Sequence, residues 1–350
     1  MQIGAAEPAS HAALATLLAR LGAGARANEP MANHTSLRVG GLADVFFTAR
    51  TTSRLIEAVE LASALGVPWR VIGAASNLLI ADEGIAGLVV KAAMTSRSWK
   101  RAASGTEAIA HAEAGCILAS LARQLVEEGL QGLEWAVNVP GTVGAAIVDN
   151  SGAFGSSTAE QLIEATLYVP GEGHKTMTPQ QLGMNYRTSV LKRGELGAVV
   201  LNAAFRLEPT DKLVLEKRMR ETQRLRQTTQ PTGPSLGSMF ANPREEAAGR
   251  LIEAAGLKGR RNGGAEISTL HANFMLNRGG ARARDVLGLM QEVQHSAWKD
   301  SGRWLIPEVQ LVGRWRDEDW LVLHSPPGAV DQFASQSPAA ESFPPSRASK

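Results

Sequence analysis

The sequence predicts an α+β protein built from two units, and three observations carry that expectation. Helical and strand-like patterns are mixed along the chain without regular alternation. Of the 350 residues, 44% are hydrophobic, enough to fill more than one core. A charged stretch, EPTDKLVLEKRMRETQRLRQ at 208–227, reads as a helical connector with a solvated face between the units.

Taken in order, residues 1–28 are Ala-rich and are expected to form a loose leader. Its run HAALATLLARLGAGA follows Glu7, lacks an opening basic cluster and is broken by Arg20, so it reads as an amphipathic helix and not as an export signal. Leu55 to Leu65 has helical spacing, with Ser53 as cap and Gly66 as stop. Strand-like runs follow at 69–73 and 87–91, then a helix over 117–128 that ends at Gly129, then strands at 165–169 and 198–207. Beyond the connector the pattern gives a helix at 246–255, short strands within 265–277, a helix at 285–298, and strands at 305–313 and 320–324. Residues 326–350, rich in Pro, Ser and Ala, are expected to be a disordered tail.

The 36 basic and 34 acidic residues nearly cancel, so charge balance calls for neither nucleic acid nor an anionic membrane as partner. Cys116 is the single cysteine, which excludes an intrachain disulfide and a cysteine-based metal cage. A reducing, cytoplasmic compartment is the expectation. No metal site is predicted, and no apolar run approaches the roughly 20 residues that span a bilayer.

Three segments combine glycines with small or hydroxylic residues beside apolar strands: 33–47, 71–90 and 139–155. Small residues there let the backbone approach a ligand and offer N–H groups to anionic oxygens. Each segment taken alone is equally an ordinary tight turn. Neither G-x-G-x-x-G nor a Walker pattern is present. Asn33-His34-Thr35 matches a glycosylation sequon, which carries no meaning without a secretory context.

In GPSLGSMFANP, at 233–243, Ser235 satisfies the G-x-S-x-G pattern of a nucleophile elbow, but the apolar strand that an elbow requires does not precede it. Ser238 reads either as a turn serine bonding the backbone or as a chemical group. Arg187, in MNYRTSVLKR, reads as a surface cation or a site residue. Glu308, in LIPEVQLVG, shares a face with Ile306, Gln310 and Val312, where partial desolvation would ease its protonation. An edge-strand glutamate facing water fits the same pattern.

Taken together, the segments resemble the UDP-N-acetylenolpyruvoylglucosamine reductase family of flavoenzymes, over about Asn33 to Gly313. The matching residues are Thr35 with Gly40-Gly41-x-Ala43; Gly73 with Ser76-Asn77-Leu78-Leu79, Asp82 and Gly84; Pro140-Gly141-Thr142-Val143-Gly144 with Asn150, Gly152 and Ala153; Tyr186-Arg187-x-Ser189; Pro234 with Gly237-Ser238-x-Phe240-x-Asn242-Pro243; AGRLIEAAGLKG; and Pro307-Glu308-Val309. No long insertion separates Arg187 from Ser238, which is similar to the shorter class of the family, without its tyrosine-bearing loop.

The resemblance implies a vanillyl-alcohol-oxidase-type (PCMH-type) FAD-binding region of two α+β subdomains over 29–210, and a substrate-binding reductase domain over 211–325. It implies FAD as cofactor, NADPH as hydride donor and UDP-N-acetylglucosamine enolpyruvate as substrate, with NADPH and the sugar nucleotide using one cleft in turn and a monomeric protein. Arg187, Ser238 and Glu308 take the catalytic positions. Thr35, Gly40, Gly73, Ser76, Asn77, Leu78, Pro140, Gly141, Thr142, Gly144, Asn150, Gly152 and Ala153 take the cofactor positions. Tyr186, Asn242, Lys258 and Arg260 are the substrate-binding candidates. The chain departs from the family pattern at Ala75, Ala145, Asp149, Ser151 and Ala241. Two rival readings are an FAD oxidase of the same superfamily and a flavin-binding paralogue without turnover.

Overall fold

The computed structural model describes residues 9–243 and 246–324. A first sheet runs in the order Ala25–Pro30, Leu42–Ala49, Ile85–Ala92, Trp69–Ile72. Its first pair is antiparallel and the other two are parallel. Helix Thr52–Ala64 supplies the crossover and buries Leu55, Ala58, Val59, Leu61 and Ala62. This burial explains why Leu42–Ala49 and Ile85–Ala92 read as nearly continuous apolar runs.

A second sheet is antiparallel throughout: Gly173–Met177, Leu162–Val169, Val199–Pro209, Ala108–Glu113, Arg97–Arg101. Helix Leu118–Glu127 buries one whole stripe of apolar residues, including Leu118, Leu121 and Leu125. The cores of these two subdomains merge into one apolar cluster. The connector is helix Lys212–Thr229, capped by the Asp211 carboxylate, which accepts from the Leu213 N–H at 2.8 Å.

The C-terminal sheet has the order Ser235–Ser238, Phe274–Asn277, Ala265–Ile267, Arg261–Asn262 and is covered by helices Ala248–Ala254 and Ala283–Ser301. The chain then returns to the first unit, where Gln310–Val312 pairs in parallel with Leu78–Ile80. Its core also takes in Leu37, Val39, Leu79 and Ala81 from the first unit.

Several sequence expectations are corrected. The leader is ordered from residue 9 on: helix His11–Leu21 begins at Ser10 and buries Leu17 and Leu21, four residues apart on one face, and Ala25–Pro30 is a sheet strand. Residues 1–8 and the tail at 326–350 lie outside the described residues. Helix Thr52–Ala64 is capped by Thr51, not Ser53, whose hydroxyl pairs with that of Thr51. Of the strand expected at 305–313, only Gln310–Val312 forms a ladder, and Pro307 makes an isolated antiparallel bridge with Phe240. Residues 320–324 belong to helix Asp317–His324; three acids in its first turn favour a helix start over the strand that a short apolar run suggested.

Candidate active site

The glycine-rich segments converge. An ideal Cβ on Gly73 would lie 2.3 Å from Thr142 Oγ1, so only glycine permits this approach of loop 73–77 to loop 140–144. Gly141, with φ +116°, faces Ser76, whose Oγ stands 3.5 Å from the ideal Cβ position. Ala75 takes the left-handed conformation, φ +46°, at a cost of about 1–2 kcal/mol for a residue with a Cβ. The sequence departure at this position is therefore real strain.

Other members of the set hold the chain together. Gly40, Gly144 and Gly152 would clash through a Cβ with Ile80, Ala114 and Ser156 respectively. The Thr35 hydroxyl donates to the Val39 carbonyl (2.8 Å) and accepts the Val39 N–H. Asn150 donates to the Asn185 carbonyl (2.9 Å) and accepts from Ala159, and Asn77 donates to the Glu308 carbonyl (3.0 Å). Leu78 starts the strand paired with Gln310, Pro140 lies exposed beside Gly141, and Ala153 pairs with Ser156.

Asn150 and Asn77 thus tie the cradle to Arg187 and Glu308. Arg187 sits in a tight turn between Asn185 and Thr188, which exchange two backbone hydrogen bonds, and its φ is +56°. Its Nε lies 3.1 Å from Glu308 Oε1. The Nε–H has no acceptor in hydrogen-bond alignment, so this is a charge contact that leaves the N–H directionally free. Tyr186, largely exposed, places its ring 5.8 Å from the guanidinium carbon.

Burial pushes the Glu308 carboxyl pKa above its ordinary value; Arg187 and then Lys192 oppose that shift, and Asp149 adds to it. The Glu308 N–H donates to the Met239 carbonyl at 2.8 Å, so the segment carrying Glu308 lies beside the residue that follows Ser238. The Met239 N–H donates to the Asn273 carbonyl at 2.9 Å, and the buried Asn273 side chain clasps both backbone groups of Phe240. Ser238 ends its strand opposite Phe274, and its hydroxyl has no hydrogen-bond partner among the described residues. The turn-serine reading fails there. Ser235 does bond the backbone, accepting from the Gly237 N–H at 3.1 Å, and it opens a strand where an elbow serine would follow one.

The remaining substrate candidates are engaged within the C-terminal unit. The Asn242 side-chain oxygen accepts from Ala248 at the start of a helix, Lys258 pairs with Glu253 at 2.6 Å, and Arg260 pairs with Glu292 at 2.8 Å. Sequence reasoning missed Asn273 and the Lys192–Asp149–Gln310 chain, in which Asp149 takes Lys192 at 2.9 Å and Gln310 at 2.9 Å. The unusual Asp149 was visible as a departure, but its partners lie on other elements. Ala145 sits inside helix Val143–Asp149, the Ser151 carbonyl accepts twice from Thr158, and the Ala241 N–H donates to Ile306.

The residues fit FAD on two counts: the cradle closes only around glycines, and buried donors wait without acceptors. Arg70 Nε, Trp135 Nε1, Asn138 Nδ2, Arg187 Nε and Arg226 Nε are all buried and make no hydrogen bond, although Arg187 Nε keeps its charge contact with Glu308. A polar cofactor and an anionic substrate would satisfy such donors. Among the described residues no helix is long and apolar enough to cross a membrane, and no acid, His or Cys cluster is arranged to hold a metal.

Comparison with known proteins agrees. Residues 43–175 match the FAD binding domain family, and residues 227–312 match the family described as UDP-N-acetylenolpyruvoylglucosamine reductase, C-terminal domain. A curated UDP-N-acetylenolpyruvoylglucosamine reductase of Rubrobacter xylanophilus is 43% identical over 296 residues, covering 85% of this chain and 98% of its own. The one from Synechococcus is 44% identical over 291 residues, covering 82% and 94%. The crystal structure of UDP-N-acetylenolpyruvylglucosamine reductase from Thermus caldophilus superposes with a TM-score of 0.67 at 32% identity, covering 82% of this chain and 98% of that one. Fold and site define an FAD-dependent oxidoreductase. The chain belongs to the UDP-N-acetylenolpyruvoylglucosamine reductase family.

Proposed function

We propose that this chain reduces the enolpyruvyl ether of UDP-N-acetylglucosamine enolpyruvate to the lactyl ether of UDP-N-acetylmuramate, using Arg187, Glu308 and Ser238 as its chemical groups. FAD bound there would supply hydride-transfer chemistry between NADPH and the vinyl methylene carbon of the substrate. Residues of loops 73–77 and 140–144 hold the cofactor through backbone groups brought close by Gly73 and Gly141.

Hydride addition pushes negative charge onto the neighbouring carbon and its carboxylate. Arg187 remains charged at any working pH and offers a forked face to that carboxylate. Glu308, whose pKa burial raises, would donate a hydrogen bond to the same developing charge when it carries its proton. Each such fixed donor is worth about 3–4 kcal/mol in the transition state. Ser238 then gives its hydroxyl proton to the charged carbon. Tyr186, exposed beside Arg187, is placed to meet the sugar nucleotide. The protein acts as a monomer in the cytoplasm, and NADPH and the sugar nucleotide use one cleft in succession.

The observation that carries this reading is the Arg187–Glu308 contact beside a serine whose hydroxyl is uncommitted. Ser238→Ala should still have its flavin reduced by NADPH while sugar-nucleotide reduction slows by at least about 100-fold. Stopped-flow absorbance of the flavin separates the two half-reactions. Wild-type turnover in that variant would remove Ser238 from the chemistry.

A further inference from the structure

Two rungs of side chains join the segment that carries Arg187 to the segment that carries Glu308. The first is their direct contact, Arg187 Nε to Glu308 Oε1 at 3.1 Å. The second passes through a residue of neither segment: Asp149 Oδ1 takes Lys192 Nζ at 2.9 Å and accepts from Gln310 Nε2 at 2.9 Å. Lys192 lies five residues beyond Arg187, and Gln310 two beyond Glu308. Asn77 fixes that second spacing, because its side chain donates to the Glu308 carbonyl while its own carbonyl accepts the Gln310 N–H at 3.0 Å.

By local rules Asp149 is badly placed. It ends helix Val143–Asp149, where the carbonyl ends of the peptide dipoles disfavour a carboxylate. Its side chain is only 17% exposed and that of Lys192 19%, so both charges have lost much of their water. The same last turn already holds the Arg187 segment through backbone carbonyls and a side-chain amide: Ser189 Oγ donates to the Val148 carbonyl at 2.6 Å, and Asn150 Nδ2 donates to the Asn185 carbonyl. A further tie to that segment adds little by itself. What Asp149 adds is the reach to Gln310 and a counter-charge for the lysine beside it.

We propose that Asp149 is a positioning residue for Glu308: it locks the Glu308 segment against the Arg187 segment and takes up the Lys192 charge, leaving Arg187 as the cation that meets the acid. Two cations and one anion act on the Glu308 carboxyl; Arg187 and Lys192 favour its ionised form, and Asp149 favours the protonated one. With an amide at position 149, Gln310 still has an acceptor, but Lys192 loses its carboxylate in this rung. The ammonium then turns toward Glu308 and holds it ionised. The kinetic consequence rests on the reading of Glu308 as a proton-bearing donor; the tie itself does not.

The test uses full-length, FAD-loaded protein. The carbonyl stretch of protonated Glu308, identified as the infrared band that Glu308→Gln removes, is titrated with pH in wild type, Asp149→Asn, and Asp149→Asn combined with Lys192→Met. Asp149→Asn should lose the band at lower pH than wild type, and the added Lys192→Met should return it toward the wild-type position. Single-turnover reduction of the sugar nucleotide on the alkaline side should slow about tenfold in Asp149→Asn, within the coupling expected inside one ion-pair network, and recover in the double variant. Reduction of the flavin by NADPH should change less than about twofold. A purely structural role for Asp149 would show no recovery, since removing Lys192 mends no packing. An unshifted band in Asp149→Asn overturns the inference, as does a shifted band that Lys192→Met fails to return, or loss of FAD from both variants. A band that shifts and recovers with no change of rate upholds the hold on Glu308 and removes Glu308 from the proposed reaction, so the two failures are separable.

Discussion

Asn273 grips Phe240 by both backbone groups: its Nδ2 donates to the Phe240 carbonyl at 2.8 Å, and its Oδ1 accepts the Phe240 N–H at 3.0 Å. Its own carbonyl takes the Met239 N–H, and the Met239 carbonyl takes the Glu308 N–H. One buried amide therefore fixes the spacing between Ser238 and Glu308. Asn273→Ala leaves two buried backbone groups unpaired and should cost about 1–3 kcal/mol in denaturant unfolding. With FAD content retained, reduction of the sugar nucleotide should slow more than reduction of the flavin by NADPH.

The raised pKa of Glu308 gives a pH dependence of definite sign. Its folded pKa exceeds its unfolded one, so the stability it contributes is full below the unfolded value and is lost as pH rises through the folded value. The rate of sugar-nucleotide reduction should decline over that same upper limb as the acid is lost. Glu308→Gln should be slower throughout and should lack this limb in a pH–rate profile measured by single turnover.

Gly73→Ala places a methyl group 2.3 Å from Thr142 Oγ1 and must push the two loops apart. The FAD dissociation constant, measured by flavin fluorescence, should rise by at least about tenfold, equivalent to about 1.4 kcal/mol.

Ala75→Gly should act in the opposite direction. Removing the Cβ relieves the left-handed strain at φ +46°, partly offset by the greater freedom of glycine in the unfolded chain. A net gain of about 0.5–1 kcal/mol is expected, read as a higher Tm in differential scanning calorimetry.

The sequence revealed the parts of this site whose requirements are local. Gly73 and Gly141 are legible because a close approach or a positive φ excludes other residues at that position. Arg187, Ser238 and Glu308 stood out only through the ordered family pattern around them. Asn273 and Lys192 gave no signal, because each acts on a partner from another element and nothing in its own neighbours records the distance. The amphipathic helix read in the leader forms as His11–Leu21, but the looseness expected of that segment fails, because the surface that buries Leu17 and Leu21 comes from the first subdomain.

The bond from Asn77 to Glu308 joins positions 231 residues apart, and the short parallel pairing beside it seats the acid. On the ribosome, a chain that has emerged only as far as the connector still lacks Glu308 and the strand that pairs with Leu78–Ile80. Pairing so distant in sequence closes slowly and late. Asn77 and the strand that follows it gain these partners only once the C-terminal segment has been made.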